Sequence, residues 1–88
     1  MRNRKTNHNY AHYRVIRTVE DASSKPTTMY GIEGFSGEET ITITALSENR
    51  RRIKELVDLM NKSELELCHF YEVVENFVYE NYGINKNE

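Results

Sequence analysis

Thr40-Ile41-Thr42-Ile43-Thr44-Ala45-Leu46 runs straight into Ser47-Glu48-Asn49-Arg50. The first stretch alternates polar and apolar residues with a period of two, the signature of a strand with one wet and one dry face. Ile41, Ile43 and Ala45 are expected inward, and Thr40, Thr42 and Thr44 outward, over a strand from Glu39 to Leu46. The period then lengthens to that of a helix. Ser47 is the expected N-cap of a helix from Glu48 to Asn61. Ile53, Leu56, Val57 and Met60 form its buried stripe, with Leu59 beside it. Asn61 reads as the stop, Lys62-Ser63-Glu64 as the turn, and Leu65 as the anchor of that turn to the core.

Upstream, Tyr10 to Val19 reads as a first strand. Tyr13, Val15, Arg17 and Val19 share one side, and His12, Arg14, Ile16 and Thr18 the other. The polar stretch Glu20 to Thr27 holds the only proline, Pro26, and reads as a loop. Thr28 to Phe35 reads as a second strand, with Tyr30 and Ile32 on one face and Met29, Glu33 and Phe35 on the other. Gly31 and Gly34 within it mark a bulge or a close backbone approach, and Ser36-Gly37-Glu38 is a tight turn. Downstream, Leu67, Phe70, Val74, Phe77 and Val78 define a second helix from Leu67 to Tyr82, flanked by Val73, with Gly83 as a left-handed C-terminal cap and Ile84 folding back. Neither a lone helical hairpin nor a lone three-stranded sheet can hide these apolar stripes, but stacking one on the other hides both. The expected fold is therefore α+β: a two-layer βββαα domain, a three-stranded antiparallel meander with a helical hairpin packed on one face. It spans residues 10–84, after a flexible basic tail at 1–9 and before a frayed C-terminus at 85–88.

The chain has 88 residues, 38% hydrophobic and 30% charged, with net charge −2. That is one small domain with little room for a deep substrate cavity. Six tyrosines against three phenylalanines and no tryptophan suit half-wet surfaces. A single cysteine, Cys68, excludes an internal disulfide and fits a reducing, cytoplasmic setting. No apolar run reaches the ~20 residues of a membrane span, and Met1 to Asn9 lacks the apolar stretch of a secretory signal. Charge is uneven. Arg2, Arg4, Lys5, Arg14 and Arg17 open the chain without an acid, whereas Glu64, Glu66, Glu72, Glu75, Glu80 and Glu88 dominate its end. The net acidity favours mutual neutralisation over a nucleic-acid footprint.

No catalytic constellation emerges. Zinc needs three or four gathered ligands, but His8 lies in the tail and Cys-x-x-Cys is absent. Cys68 and His69 are neighbours that point about 100° apart on a helix, a poor nucleophile–base pair. Cys68 is read instead as a small, partly buried apolar residue. Glu72, Glu75 and Glu80 read as a solvated helix face, and the glycines form no phosphate loop. No cofactor and no metal is expected. Two features invite a binding reading. Arg50-Arg51-Arg52 and Lys54 place positive charge in a helix's first turn, against the helix dipole, at about 0.3–1 kcal/mol per charge. A solvated or intramolecularly paired cluster, an acidic protein surface, and nucleic acid are the alternatives, in decreasing order of weight. The second feature is the outward sheet face. If helices cover only the other face, Thr40, Thr42 and Thr44 lie open beside Met29 and Phe35, with Arg14, Ile16 and Glu33 on the same side, as a contact surface. The sheet edges offer another.

Tyr30-Gly31-Ile32, the helical run Glu55-Leu56-Val57-Asp58-Leu59-Met60-Asn61, then Glu64-Leu65 and Val73-Val74-Glu75, resemble a family of small proteins from clostridial-type bacteria that share a domain of unknown function. The likeness covers roughly residues 13–78. Members often open the second helix with Ser-Pro, where this chain has Glu66-Leu67. The resemblance implies a cytosolic single-domain protein and supplies no catalytic residue. The resulting expectation is a non-enzymatic protein-interaction or regulatory module with a protein partner, or a homodimer formed through a sheet edge or the open face. The alternatives are a phage-type inhibitor of a host defence enzyme and a weak nucleic-acid binder acting through Arg50 to Lys54.

Overall fold

The computed structural model describes residues 11–21 and 25–82. The expected tail at 1–9, Tyr10, the Gly83 cap with Ile84, and the end at 85–88 lie outside the described residues. The order is β1 (His12–Glu20), β2 (Thr27–Ser36), β3 (Glu39–Ser47), α1 (Arg50–Lys62), a 3-10 turn (Leu67–His69) and α2 (Phe70–Tyr82). The strands form an antiparallel meander in the order β1-β2-β3. The expected α+β arrangement of an open three-stranded sheet followed by two helices is the one observed.

Register explains which side chains go inside. Tyr13 lies opposite Gly34, Val15 opposite Ile32, and Ile32 opposite Ile43. These residues share the face that receives Ile53, Leu56, Val57 and Met60 from α1, and Leu67, Phe70 and Val74 from the second helical segment. Ile32, Ile53 and Phe70 have no exposed surface at all. Both strand glycines are explained by close approach. A Cβ on Gly34 would lie 2.6 Å from the Tyr13 ring, so the missing side chain makes room for that ring to lie across β2. The ring meets Phe70 edge-on, at a centroid distance of 5.1 Å. Gly31 faces the opposite side and receives the backbone of β3.

That approach belongs to a bulge. Between the pairs Tyr30↔Ser47 and Ile32↔Ile43, Gly31 alone opposes Thr44, Ala45 and Leu46. Ala45 takes a left-handed φ of 56°. The extra residues break the alternation, and Leu46 joins the apolar cluster in place of the expected Ala45. Ser47 also departs from expectation. It ends β3 opposite Tyr30, and its hydroxyl accepts from the Asn49 N–H at 2.9 Å. Asn49 is the N-cap, its side chain accepting from the Arg52 N–H at 3.3 Å, so the helix starts at Arg50.

The helix also runs past the expected stop to Lys62, with Ser63 as C-cap. The Leu65 N–H reaches the Met60 carbonyl at 3.1 Å and the Glu64 N–H the Asn61 carbonyl at 3.2 Å, the two bonds of a Schellman motif. Glu64 holds the left-handed position with φ 56°. Glycine is unstrained there, so Glu64→Gly is expected to stabilise the protein by about 0.5–1 kcal/mol, read as a higher urea midpoint.

Asn61 closes the sheet instead of ending the helix. Its Nδ2 donates to the Tyr13 carbonyl and its Oδ1 accepts from the Tyr13 N–H, both at 2.9 Å. The Leu65 carbonyl accepts from the Tyr13 hydroxyl at 2.9 Å and from the Ala11 N–H at 3.2 Å. Burial, reinforced by the nearby Cys68, pushes the Tyr13 phenol up to about 12. An unfolded tyrosine ionises near 10. The phenol's contribution is therefore intact below pH 10 and is lost as pH rises toward 12. Stability should fall by on the order of 1 kcal/mol by pH 11 relative to pH 9. A Tyr13→Phe variant should lack that part of the decline in denaturant titrations.

Candidate functional site

The described helices lie against one face of the sheet, α1 chiefly over β1 and β2. The opposite face is built by the alternate residues of each strand. His12, Arg14, Ile16 and Thr18 come from β1, Met29, Glu33 and Phe35 from β2, and Thr40, Thr42 and Thr44 from β3. Cross-strand register groups them into rows. Arg14, Glu33 and Thr42 form one row, and His12, Phe35 and Thr40 the next.

The first row is a polar relay across all three strands. Arg14 Nε donates to Glu33 Oε1 at 2.8 Å, with Nη2 at 2.6 Å from the same oxygen, and Thr42 Oγ1 donates to Glu33 Oε2 at 3.2 Å. The Arg14 side chain is largely in water, so the ion pair is worth only about 0–1 kcal/mol. Its main effect is to fix where the charges sit. In the second row the His12 and Phe35 rings stand 5.8 Å apart, and Phe35 keeps 38% of its surface exposed. Arg14, Glu33, Phe35, Gly37 and Thr40 line an open depression of about 310 Å³ at this end of the sheet. The depression offers an aromatic face, a guanidinium, a carboxylate and a hydroxyl within one shallow surface. That set can seat a side chain or a short peptide by apolar contact with polar anchoring at the rim.

Register therefore sets Thr40 opposite Phe35 and Thr42 opposite Glu33 on this face. Thr44 is exposed beside the bulge, and Met29 is half-buried opposite Thr18 at the far end of the face. Alternation alone puts Arg14 and Glu33 on this face without marking them as site residues. What they do depends on the register that puts them opposite each other.

The basic run is split. Arg52 Nη1 donates to Asn81 Oδ1 and ties α1 to α2, while Asn81 Nδ2 donates to the Phe77 carbonyl at 2.8 Å. Arg52, Glu55, Leu56, Leu59, Phe77 and Asn81 line a groove of about 220 Å³ between the two helices. Lys54 pairs with Asp58 one turn on, at 2.9 Å. Arg50 and Arg51 stand exposed at the start of α1.

Cys68 is exposed, not partly buried, because Leu67 in the 3-10 turn and Phe70 at the start of α2 take the inward positions. Glu66, Cys68 and His69 bring one oxygen, one sulfur and one nitrogen within 4.8 Å of one another. Among the described residues these three could hold a metal ion. All three are exposed, and Glu72 Oε1 lies 3.6 Å from His69 Nδ1. No helix among the described residues is long and apolar enough to cross a membrane.

The family of unknown function DUF6514 matches residues 1–80, and the chain belongs to it. No curated protein and no solved structure gives a significant match.

Proposed function

We propose that this DUF6514 protein is a non-catalytic interaction module that docks a partner protein on the open face of its sheet. The observation that carries this reading is the exposed Phe35 ring, set between His12 and the Arg14–Glu33–Thr42 relay on a face that no described helix covers. An aromatic anchor with fixed polar neighbours is the kind of group on which binding energy concentrates. A regulatory role and a cytoplasmic setting are part of the same reading. Nucleic-acid binding through the basic run has weaker support, since Arg52 and Lys54 are already engaged within the chain.

Affinity capture from the native host with the wild-type chain and two charge-bearing variants, Phe35→Asp and Thr40→Arg, tests the proposal. Both positions are exposed, so unchanged circular dichroism is expected. A partner held by the wild type should be lost with both variants and kept by Leu59→Asp, which alters the helical side. Retention by Phe35→Asp and Thr40→Arg, or loss only on changing Arg50 and Arg51, contradicts it.

A further inference from the structure

The two edges of the sheet differ. At the β1 edge, Asn61 satisfies both backbone groups of Tyr13, and the Leu65 carbonyl takes the Ala11 N–H. At the β3 edge, no described strand pairs. Backbone direction can be followed across the sheet from Asn61. Tyr13 turns its N–H and carbonyl away from β2, so its opposite number Gly34 turns toward β3, and Ile41, opposite Gly34, turns back toward β2. Between the turn and the bulge, the outer edge of β3 is therefore presented by the backbone of Thr40 and Thr42.

From these observations we infer that the β3 edge pairs with a second copy of the chain, antiparallel, about a two-fold axis at Thr42. In that register Thr42 meets Thr42, Thr40 meets Thr44, and Ile41 meets Ile43. Every cross-strand pair is like with like on its own face, threonine on the open side and isoleucine on the helical side. Thr40 and Thr42, whose backbone groups face outward, fall at the hydrogen-bonded positions of that register, so the ladder and the side chains fit together. The helical side supplies a reason to pair. Ile41 and Ile43 are only half-buried, whereas Ile32 on the central strand is fully buried, because α1 sits over β1 and β2. The left-handed Ala45 ends the pairing segment on one side and the Gly37 turn ends it on the other.

Charge complementarity points to the same occupant. Glu38 and Glu39 stand exposed at the start of β3, and Arg50 and Arg51 stand exposed just past its end. The two-fold axis brings Glu38 and Glu39 of one protomer toward Arg50 and Arg51 of its partner, twice over. Arginines that oppose the dipole of their own helix are then offset by the partner's acids. The result is a six-stranded sheet with both helical layers on one side and a doubled open face on the other.

Light scattering coupled to size exclusion on the full chain tests this. The expected mass is twice the 10.4 kDa of the chain. Thr42→Pro removes an outward N–H at an edge strand and should give the monomer mass. If that variant loses its fold by circular dichroism, charge reversal decides. Arg50→Glu with Arg51→Glu should weaken the dimer about tenfold or more, and adding Glu38→Arg with Glu39→Arg should restore it. A monomer at about 100 μM, where even weak contacts are populated, overturns the inference. So does a dimer indifferent to the charge reversal. Phe35→Asp should leave the mass unchanged, so failure here is distinguishable from failure of the open-face proposal.

Discussion

Gly31→Ala is expected to abolish or nearly abolish cooperative folding. The new Cβ would stand 2.1 Å from the Ile43 carbonyl oxygen and 2.8 Å from the Thr44 Cα. Both are backbone atoms, so no rotamer change can relieve the contact. Relief requires moving β3 off β2, and β3 carries Ile43 and Leu46 into the core and leads directly to the Asn49 cap of α1. Overpacking commonly costs about 1–3 kcal/mol, and a collision with fixed backbone at a sheet crossing belongs above that range. Urea denaturation followed by circular dichroism should show an unfolding free energy lowered by more than about 3 kcal/mol, or no folded baseline. Gly34→Ala meets the Tyr13 ring at 2.6 Å, a side chain and not backbone, and should cost less because the strands need not separate. Equal, small effects at both positions would mean that the bulge is not where β3 crosses.

Asn61→Ala should be the next most damaging. One side chain occupies the donor and acceptor of Tyr13 together, as a neighbouring strand would. Removing it deletes two hydrogen bonds and leaves two part-buried backbone groups to water or to nothing, an expected loss of about 2–3 kcal/mol. Faster hydrogen exchange at the Tyr13 amide should accompany the lower stability. Asn61→Asp keeps the acceptor but sets a carboxylate against the Tyr13 carbonyl, so it should not rescue. A variant with unchanged midpoint and unchanged Tyr13 exchange would show that the amide does not close this edge.

The fold was legible because alternation along Glu39 to Leu46 and the helical spacing of Ile53, Leu56, Val57 and Met60 are properties of the chain alone. Gly31 and Gly34 were also legible as places of close approach, although the neighbours they admit were not. The misses share a cause. Ser47, a strong capping residue, lost the cap to Asn49 because the sheet held it opposite Tyr30. Ala45 carries no mark of a left-handed bulge residue, yet the backbone over Gly31 imposes one. Asn61 looked like a stop because its value lies in Tyr13, 48 residues away. Cys68 reads as partly buried, yet Leu67 and Phe70 on either side of it take the inward positions and leave it exposed. At the candidate surface, alternation put Thr40, Thr42, Phe35, Arg14 and Glu33 on one face. Only the pairing of His12 with Phe35 and of Arg14 with Glu33 concentrates them into rows. Register depends on two segments at once, and neither spells it alone.

The proposed docking surface exists only if the sheet is covered on one side. A soluble paramagnetic agent, read by NMR on the isotopically labelled full chain, measures that directly. Side-chain signals of Arg14, Phe35, Thr40 and Thr42 should relax strongly, while those of Ile32, Ile53 and Phe70 stay protected. Protection of Phe35, Thr40 and Thr42 to the level of Ile32 would mean that this face is covered, and the open surface on which the proposed function rests would not exist.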